Sequence, residues 1–402
     1  MSMKFGRDGD RHDKIRKLWK ERASGRSSWI LTLLPMALAF LLGWGGLVQA
    51  KAETYADVAN SRSGNISVIR TSDHTVVATV PVLSPNGVGI STDGEFVCAA
   101  NGTNSSVSVI RTSDNAQVTQ VPTSASTWDC SFTPDGAFIY VTTSTGVKVI
   151  RTSDYTVVAS PTTLGSWRVA ITPDGAFIYA TNWTNNNVSV IRTSDHTEVT
   201  RVPVGSSPHN IAITPDGAFA YVANSGSGSV SVINLALNME VGRIAVGSSP
   251  QGVAVAPDET LAYVANSTSN TISVIRLPDN TVMGTVTGVK SPLDCAFTPD
   301  GAFIYVTTNT GVKIIRTSDN TVVATVPVGS DPIGITIGSP PVSVATLSLN
   351  AACFQVGDPL QLDLRLVTGS TSPPGGTYCF ELKWWMETPM AFPADRISLA
   401  NL

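Results

Sequence analysis

The sequence lacks the short motifs that identify the common enzyme classes. It has no H-E-x-x-H, no G-x-S-x-G, no C-x-x-C-H and no glycine-rich phosphate-binding loop. Histidine is scarce as well, because only His74, His196 and His209 follow residue 50. We expect His74 and His196, in polar turns, to be solvated, whereas His209 precedes an inner strand. The sequence therefore predicts no catalytic motif, no metal site and no cofactor.

Basic residues are sparse beyond residue 50. There, 17 Lys and Arg face 26 Asp and Glu, which gives a formal net charge of −9. Such a balance argues against nucleic acid or an anionic membrane surface as a partner. Arg is repeated in R-T-S-D segments, but each Arg is followed three residues later by its own Asp, which is typical of a local turn.

Cysteine is also infrequent, and five residues leave at least one unpaired. Cys353 and Cys379 lie in one C-terminal segment and could form a disulfide in an oxidising compartment. Cys130 and Cys295 occupy equivalent strands three repeats apart, too far for a bridge across a channel. We expect these two and Cys98 to be small, free core residues.

An apolar stretch lies within residues 1–50. Residues 1–28 carry nine basic and four acidic residues, residues 30–42 are apolar, and Ala50-Lys51-Ala52 follows. This order is typical of a cleaved secretory signal. The alternative is an uncleaved anchor over residues 29–48, long enough at ~20 residues to span a bilayer. Either one directs the remaining chain out of the cytoplasm. We expect a periplasmic, cell-surface or secreted protein that contacts a membrane only through an uncleaved N-terminal segment.

Seven repeats fill most of the remaining chain. In the clearest copy, strands at residues 211–214, 219–222, 230–233 and 241–246 are separated by a Pro-Asp-Gly turn and a Gly-rich loop. The residue after the third strand recurs at intervals of 40 to 42, at Arg70, Arg111, Arg151, Arg192, Asn234, Arg276 and Arg316. Four strands per ~40–45 residues is the period of propeller blades, which bury their faces against neighbouring blades. The sequence thus predicts an all-β, seven-bladed propeller of four-stranded antiparallel blades.

The second strand carries a recognisable motif. It reads YVAN at residues 221–224 and 263–266, YATN at 179–182, DVAN at 57–60, and YVTT at 140–143 and 305–308. Over residues 55–338 the chain resembles the YVTN family of β-propellers, some of which are surface-layer or periplasmic proteins. The resemblance implies the fold strongly and the function weakly, because one propeller architecture carries unrelated activities.

The strand order predicts how the ring closes. The array enters on a second-type strand at Tyr55 and ends on an unpartnered first-type strand near residues 333–338, so the first blade needs both ends of the array. Residues 339–402 depart from the repeat. They begin as a Pro-rich linker and continue with alternating segments at 344–349 and 360–367, which predict a partial, β-sandwich-like module.

Candidate binding residues are those that depart from the repeat consensus at the entry to the inner strands. Three of the seven copies have glycine there, at residues 87, 252 and 334, and we expect the loops at this end, including the one that carries Trp183, to surround the channel mouth. Tryptophans beside charged and amide groups are typical of a small-molecule or glycan site; the alternative is that the indoles only plug the channel. The candidates are Trp128, Asp129, Trp167, Arg168, Trp183, His209, Asn210 and Asp294.

Two further hypotheses concern modification and charge pairing. Asn-x-Ser/Thr sequons at the loops between second and third strands are either surface glycosylation sites or chance products of polar loops: Asn65, Asn101, Asn104, Asn182, Asn187 and Asn266. Two near-identical copies gain an Asp before the first strand and a Lys in the third, which suggests Asp129–Lys148 and Asp294–Lys313 pairs, unless one segment was simply duplicated.

Two function classes remain open. The first is an exported, non-enzymatic scaffold that binds a small molecule, glycan or protein at the channel mouth. The second is a lactonase-like or lyase-like propeller enzyme, which uses residues around the same mouth. The absence of an acid/base or metal motif favours binding.

Overall fold

The computed structural model describes residues 53–161, 163 and 165–340, together with the backbone of two short strands further on. These residues form seven four-stranded antiparallel sheets arranged as the blades of a ring. The predicted seven-bladed, all-β fold is confirmed. Residues 1–50, with the predicted signal or anchor, lie outside the described residues.

The strands follow one another blade by blade, apart from the first blade, which is shared between the two ends of the array. Blade 1 has β1 (Tyr55–Asn60), β2 (Asn65–Arg70) and β3 (Thr75–Pro81). Blade 2 has β4 (Val88–Ile90), β5 (Phe96–Ala100), a 3-10 turn (Gly102–Asn104), β6 (Ser106–Arg111) and β7 (Ala116–Pro122). Blade 3 has β8 (Thr127–Phe132), β9 (Phe138–Thr143), β10 (Gly146–Arg151) and β11 (Thr156–Ala159). Blade 4 has β12 (Ser166–Ile171), β13 (Phe177–Asn182), β14 (Asn187–Arg192) and β15 (Thr197–Pro203).

The remaining blades repeat the same order. Blade 5 has β16 (Pro208–Ile213), β17 (Phe219–Asn224), β18 (Ser229–Asn234) and β19 (Met239–Ala245). Blade 6 has β20 (Pro250–Val255), β21 (Leu261–Asn266), β22 (Thr271–Arg276) and β23 (Thr281–Val286). Blade 7 has β24 (Pro292–Phe297), β25 (Phe303–Thr308), β26 (Gly311–Arg316) and β27 (Thr321–Val326), and β28 (Pro332–Gly338) returns to blade 1.

Ring closure occurs in blade 1, as predicted. Its strand order is β28-β1-β2-β3, so the last strand of the array is innermost. β28 pairs antiparallel with β1 from Tyr55 opposite Gly338 to Asn60 opposite Pro332. The last strand therefore supplies the hydrogen-bond partner that the inner edge of β1 would otherwise lack.

The hydrophobic core lies between blades. One cluster joins Val230 and Val232 of blade 5 to Val253, Val264 and Ile275 of blade 6, and equivalent clusters recur around the ring. This packing explains why the second strand reads as a nearly continuous apolar run, because both of its faces are covered. Cys98, Cys130 and Cys295 are buried and free, as predicted. Cys353 and Cys379 lie outside the described residues.

The repeated turns define the two ends of the ring. Between first and second strands, Thr214 Oγ1 donates to Asp216 Oδ1 at 2.6 Å, Ala218 N donates to the same oxygen at 2.9 Å, and Gly217 adopts a φ of +69°. The R-T-S-D segments close the third-to-fourth strand turns with an Arg–Asp ion pair, as in Arg70–Asp73 at 2.7 Å. We call the end with these Asp turns the lower face, and the opposite end the upper face.

The last residue of the YVTN motif belongs to the core. Asn224 is fully buried, and its Nδ2 donates to Ser231 Oγ on the neighbouring third strand at 2.9 Å. Three of the sequon asparagines occupy this motif position and are buried, so the expectation that they are surface acceptors is wrong: Asn101, Asn182 and Asn266. Of the six, Asn104 alone is exposed.

Beyond the ring, the structure describes Ser339, Pro340 and two short strands. β29 (Leu360–Asp363) pairs antiparallel with β30 (Glu381–Trp384). β29 overlaps the predicted strand at 360–367. The other segments of the predicted module over 339–402, including 344–349, lie outside the described residues.

Candidate functional site

Polar side chains cross the channel at one level near its upper end. The seven inner strands place equivalent residues at this level: Gly87, Asp129, Arg168, Asn210, Gly252, Asp294 and Gly334. The glycines are required by close packing, since a Cβ at Gly252 would lie 2.7 Å from the carbonyl oxygen of Leu293. The other four residues form what we call the polar layer.

Arg168 is the centre of the polar layer. Its Nη1 lies 3.5 Å from Asp129 Oδ1 on the adjacent blade 3, and its Nη2 lies 3.6 Å from Asp294 Oδ2 on blade 7. Asn210 Nδ2 donates to Asp294 Oδ1 at 2.7 Å. Blades 4 and 7 are three positions apart in the ring. The Arg168–Asp294 ion pair therefore ties together blades that share no sheet face.

Burial shifts the protonation of the two carboxyls. Arg168 is 5% exposed and both aspartates are buried. Burial raises the pKa of Asp129 to about 6, although the Arg168 charge opposes the shift. Burial also raises the pKa of Asp294, again against the influence of Arg168. The two acids are thus held by one guanidinium that does not fully offset the cost of removing them from water.

An aromatic cluster lies directly above the polar layer. Trp128 stacks on Trp167 with ring centroids 4.5 Å apart and an interplanar angle of 22°. Trp183, on the loop between β13 and β14, lies 6.2 Å from Trp167 and is 45% exposed. These three residues, which we call the indole cluster, come from the two adjacent blades 3 and 4. Trp183 is the exposed ring of the cluster on the upper face, whereas Trp128 and Trp167 are only partly exposed.

His209 connects the indole cluster to blade 5. Trp167 Nε1 donates to His209 Nε2 at 2.8 Å, so His209 carries its proton on Nδ1. Burial and the nearby Arg168 charge lower the pKa of His209 to about 3. The imidazole is therefore neutral at physiological pH, and the nitrogen that carries its free lone pair already accepts a hydrogen bond.

The structure brings all eight candidate residues to the same end of the channel, in two groups. Asp129, Arg168, Asn210 and Asp294 form the polar layer, and Trp128, Trp167, Trp183 and His209 form the aromatic region above it. Binding of a ligand by these residues remains a prediction. The stacking of Trp128 on Trp167 fits either alternative, a binding pocket or a plug.

The expected Asp–Lys pairs do not form. Lys148 Nζ donates to Ser160 Oγ at 3.1 Å, and Lys313 Nζ donates to Thr325 Oγ1 at 2.8 Å, both near solvent. The Lys substitutions instead accompany the loss of the motif asparagine. In blades 3 and 7 the buried motif Asn is replaced by Thr143 and Thr308, whose hydroxyls donate to backbone carbonyls of their own blades. These blades therefore need no serine on the third strand to accept an Asn amide hydrogen. A lysine can occupy that position and extend to the fourth strand.

One set of contacts was missed at the sequence level. The tyrosine of each YVTN motif reaches the turn between third and fourth strands of the following blade. Tyr221 Oη donates to Asn280 Oδ1 at 2.7 Å, and Tyr140 and Tyr305 bond the Nδ1 atoms of His196 and His74 at 2.6 Å. Five blades make this contact, which we call the tyrosine latch; the other two are Tyr179–Asn238 and Tyr263–Asn320.

The latches correct the expectation for two histidines. His74 and His196 do lie in turns, at φ values of 59° and 57°, but their rings contact phenylalanine and tyrosine of the preceding blade. They are half-buried rather than solvated, and burial lowers the pKa of both. The signal that could have revealed this was the spacing of about 56 to 59 residues between motif tyrosine and turn residue.

Two kinds of feature are absent from the described residues. No three His, Cys, Asp or Glu side chains in the described ranges are grouped so that they could hold a metal ion. No helix there has the length and hydropathy needed to cross a membrane.

The ring and its closed channel define a seven-bladed β-propeller, and comparisons with known proteins agree. Residues 217–346 match the model of the YNCE-like β-propeller family, and residues 159–245 match that of the seven-bladed β-propeller lactonases. The motif repeats of the chain are consistent with the YVTN type of propeller. No curated protein matches it significantly.

Solved structures share the fold at low sequence identity. Hydrazine synthase from Kuenenia stuttgartiensis is 20% identical, with a TM-score of 0.61 over 65% of this chain and 92% of that one. A functionally unknown protein from Desulfotomaculum acetoxidans DSM 771 is 19% identical, with a TM-score of 0.62 over 71% of this chain and 99% of the other. At these identities the likeness establishes the architecture alone.

Proposed function

We propose that this protein is an exported, non-enzymatic propeller that binds a small molecule or glycan at the upper mouth of its channel. The observation that carries the proposal is the indole cluster, in which Trp183 is 45% exposed beside two partly covered indoles. A row of aromatic faces with polar groups beneath it suits a ligand with both apolar and hydrogen-bonding surfaces. The basic, apolar N-terminal sequence supports export.

The hydrogen bonds of the nearby polar residues favour binding over catalysis. His209 is neutral, and its accepting nitrogen is occupied by Trp167. Asp129 and Asp294 share the Arg168 guanidinium, and backbone amides donate to both. A general base needs a free lone pair within reach of a substrate proton. These groups would first have to give up contacts that hold the ring together.

The test is a glycan and small-molecule binding panel read by tryptophan fluorescence, with Trp183→Ala as the key variant. We expect at least a 10-fold loss of binding with an unchanged unfolding midpoint, because Trp183 is exposed. Leu83→Ala is the matched control, since Leu83 is 55% exposed and lies outside the cluster. Equal binding by Trp183→Ala and wild type would contradict the proposal.

A second candidate function, a lactonase-like or lyase-like enzyme, is favoured by the family match over residues 159–245. That segment includes Arg168, His209 and Asn210. The discriminating assay is hydrolysis of a lactone panel with and without added divalent metal. Turnover that a chelator abolishes would replace the binding proposal, whereas no turnover under either condition would leave the binding proposal in place.

A further inference from the structure

A cavity of about 280 Å³ occupies the channel below the polar layer. Its upper end is formed by Asp129, Arg168 and Asp294, and its walls continue along the inner strands to Ile213 and Val255 near the lower face. The volume corresponds to roughly nine water molecules at ~30 Å³ each. The indole cluster lies on the opposite side of the polar layer and does not line this cavity.

Arg168 is an under-satisfied donor at the top of the cavity. Its guanidinium carries five N–H groups, yet Nε has no partner and is buried. The two ion-pair distances of 3.5 and 3.6 Å exceed the ~2.7–2.9 Å of a charge-assisted hydrogen bond. A buried charged group in this condition needs acceptors from elsewhere. The cavity is the space from which such acceptors can come.

The two carboxyls retain capacity to accept hydrogen bonds. Val169 N donates to Asp129 Oδ2 at 3.1 Å, and Asn210 Nδ2 and Cys295 N donate to Asp294 Oδ1 at 2.7 and 2.9 Å. An ionised carboxylate has about four lone-pair positions. A bound molecule that suits this layer must therefore both accept from Arg168 and donate to Asp129 and Asp294. A hydroxyl group does both.

The charges of the layer favour a neutral molecule. One guanidinium and two carboxylates leave the ionised layer with a net charge of −1. A further anion would be repelled by that net charge inside a low-dielectric site. A cationic group would be repelled by the Arg168 guanidinium and would itself offer the Arg168 N–H groups no acceptor. A neutral polyol satisfies both kinds of group without adding charge.

We propose that the channel cavity is a binding site for a neutral, polyhydroxylated molecule of monosaccharide size, held by Arg168, Asp129 and Asp294. The site is separate from the indole cluster, and its test does not depend on the function proposed for the upper face. The inner strands contribute their free edges as walls, so backbone N–H and C=O groups can contact further hydroxyls.

The test uses probes of one size and three charges on the full chain. Glucose and myo-inositol are the neutral probes, glucuronate is the anionic probe and glucosamine the cationic probe; binding is measured by isothermal titration calorimetry at pH 7. We expect a neutral probe to bind at least 10-fold more tightly than both charged ones. A crystal soaked with that probe should show it within hydrogen-bonding distance of the Arg168 guanidinium.

Variants separate the cavity from the upper face. Asp129→Asn keeps the shape but removes a charged acceptor, so we expect about a 10- to 100-fold loss of neutral-probe binding. Leu83→Ala, which is exposed and outside the cluster, is the control and should bind the probe as wild type does, while Trp183→Ala reports on binding at the upper face. If Asp129→Asn does not fold, the soaked wild-type crystal decides by the position of the probe.

Four outcomes would overturn the proposal. The first is that Trp183→Ala loses probe binding while Asp129→Asn keeps it, and the second is that glucosamine or glucuronate binds more tightly than the neutral probes. The third is that the cavity of the soaked crystal holds only ordered water. The fourth is that neither neutral probe binds at millimolar concentration. The first outcome would support the upper-face function while excluding the cavity site.

Discussion

Asp57 occupies, on β1, the register position that the latch tyrosine fills in five other blades. It is 6% exposed and makes no hydrogen bond or ion pair with another described residue. Burial raises its pKa from 3.8 to about 7. We predict that Asp57→Asn stabilises the protein at pH 8 and has little effect at pH 4.

The sign follows from proton linkage. Below pH 4 the carboxyl is protonated in both folded and unfolded states, so it contributes no pH dependence. Between pH 4 and pH 7 the unfolded chain releases its proton while the folded protein keeps it, and stability therefore falls as pH rises. A shift of about three units at ~1.36 kcal/mol each gives an upper value of ~4 kcal/mol, reached near pH 8.

The assay is urea unfolding of wild type and Asp57→Asn at several pH values from 4 to 8. The difference in free energy of unfolding should grow with pH and level off above pH 7. Tyr221→Phe is the control, because burial raises the pKa of Tyr221 to about 12 and it does not titrate in this range. Parallel curves for wild type and Asp57→Asn from pH 4 to 8 would refute the reasoning.

Two other predictions concern the latch and the polar layer. Tyr221→Phe removes the 2.7 Å hydrogen bond to Asn280 and should lower the free energy of unfolding by ~1 kcal/mol, measured with denaturant. A double-mutant cycle with Asn280→Ala should show coupling between the two residues, and additive losses would contradict the latch. Arg168→Met leaves two buried carboxyls unpaired and should cost ~3–5 kcal/mol at pH 7. The loss should shrink at pH 5, because Asp129 has a pKa of about 6 and is then protonated; an equal loss at both pH values would be inconsistent with the ion-pair explanation.

The fold could be predicted because the repeats carry similar turn and strand residues at similar spacing. Turn residues such as Asp216 and Gly217 recur at fixed spacing, and strand counting alone placed residues 333–338 inside blade 1. These features depend on neighbours in sequence or on the period of the repeat. Closure of the ring then follows from the need to pair an exposed strand edge.

The candidate site was predicted less completely because its contacts join distant blades. Departures from the consensus identified Asp129, Arg168 and Asp294 as unusual, but their pairing across the channel depends on where seven strand ends meet in space. The Asp–Lys hypothesis failed for the same reason. Correlated changes within one blade suggested a pair, whereas the partner, Arg168, stands on another blade and has no counterpart in the repeat.

The tyrosine latches bear on how the array could have grown. The near-identical blades 3 and 7 carry Tyr140 and Tyr305, and the blade after each supplies a histidine partner, His196 and His74, where three of the other turns use asparagine. The two partners lie on successive blades, so a copied blade keeps its latch only if the blade that follows it supplies a turn partner. The latch is thus a condition on pairs of neighbouring blades, which the period of a single repeat does not show.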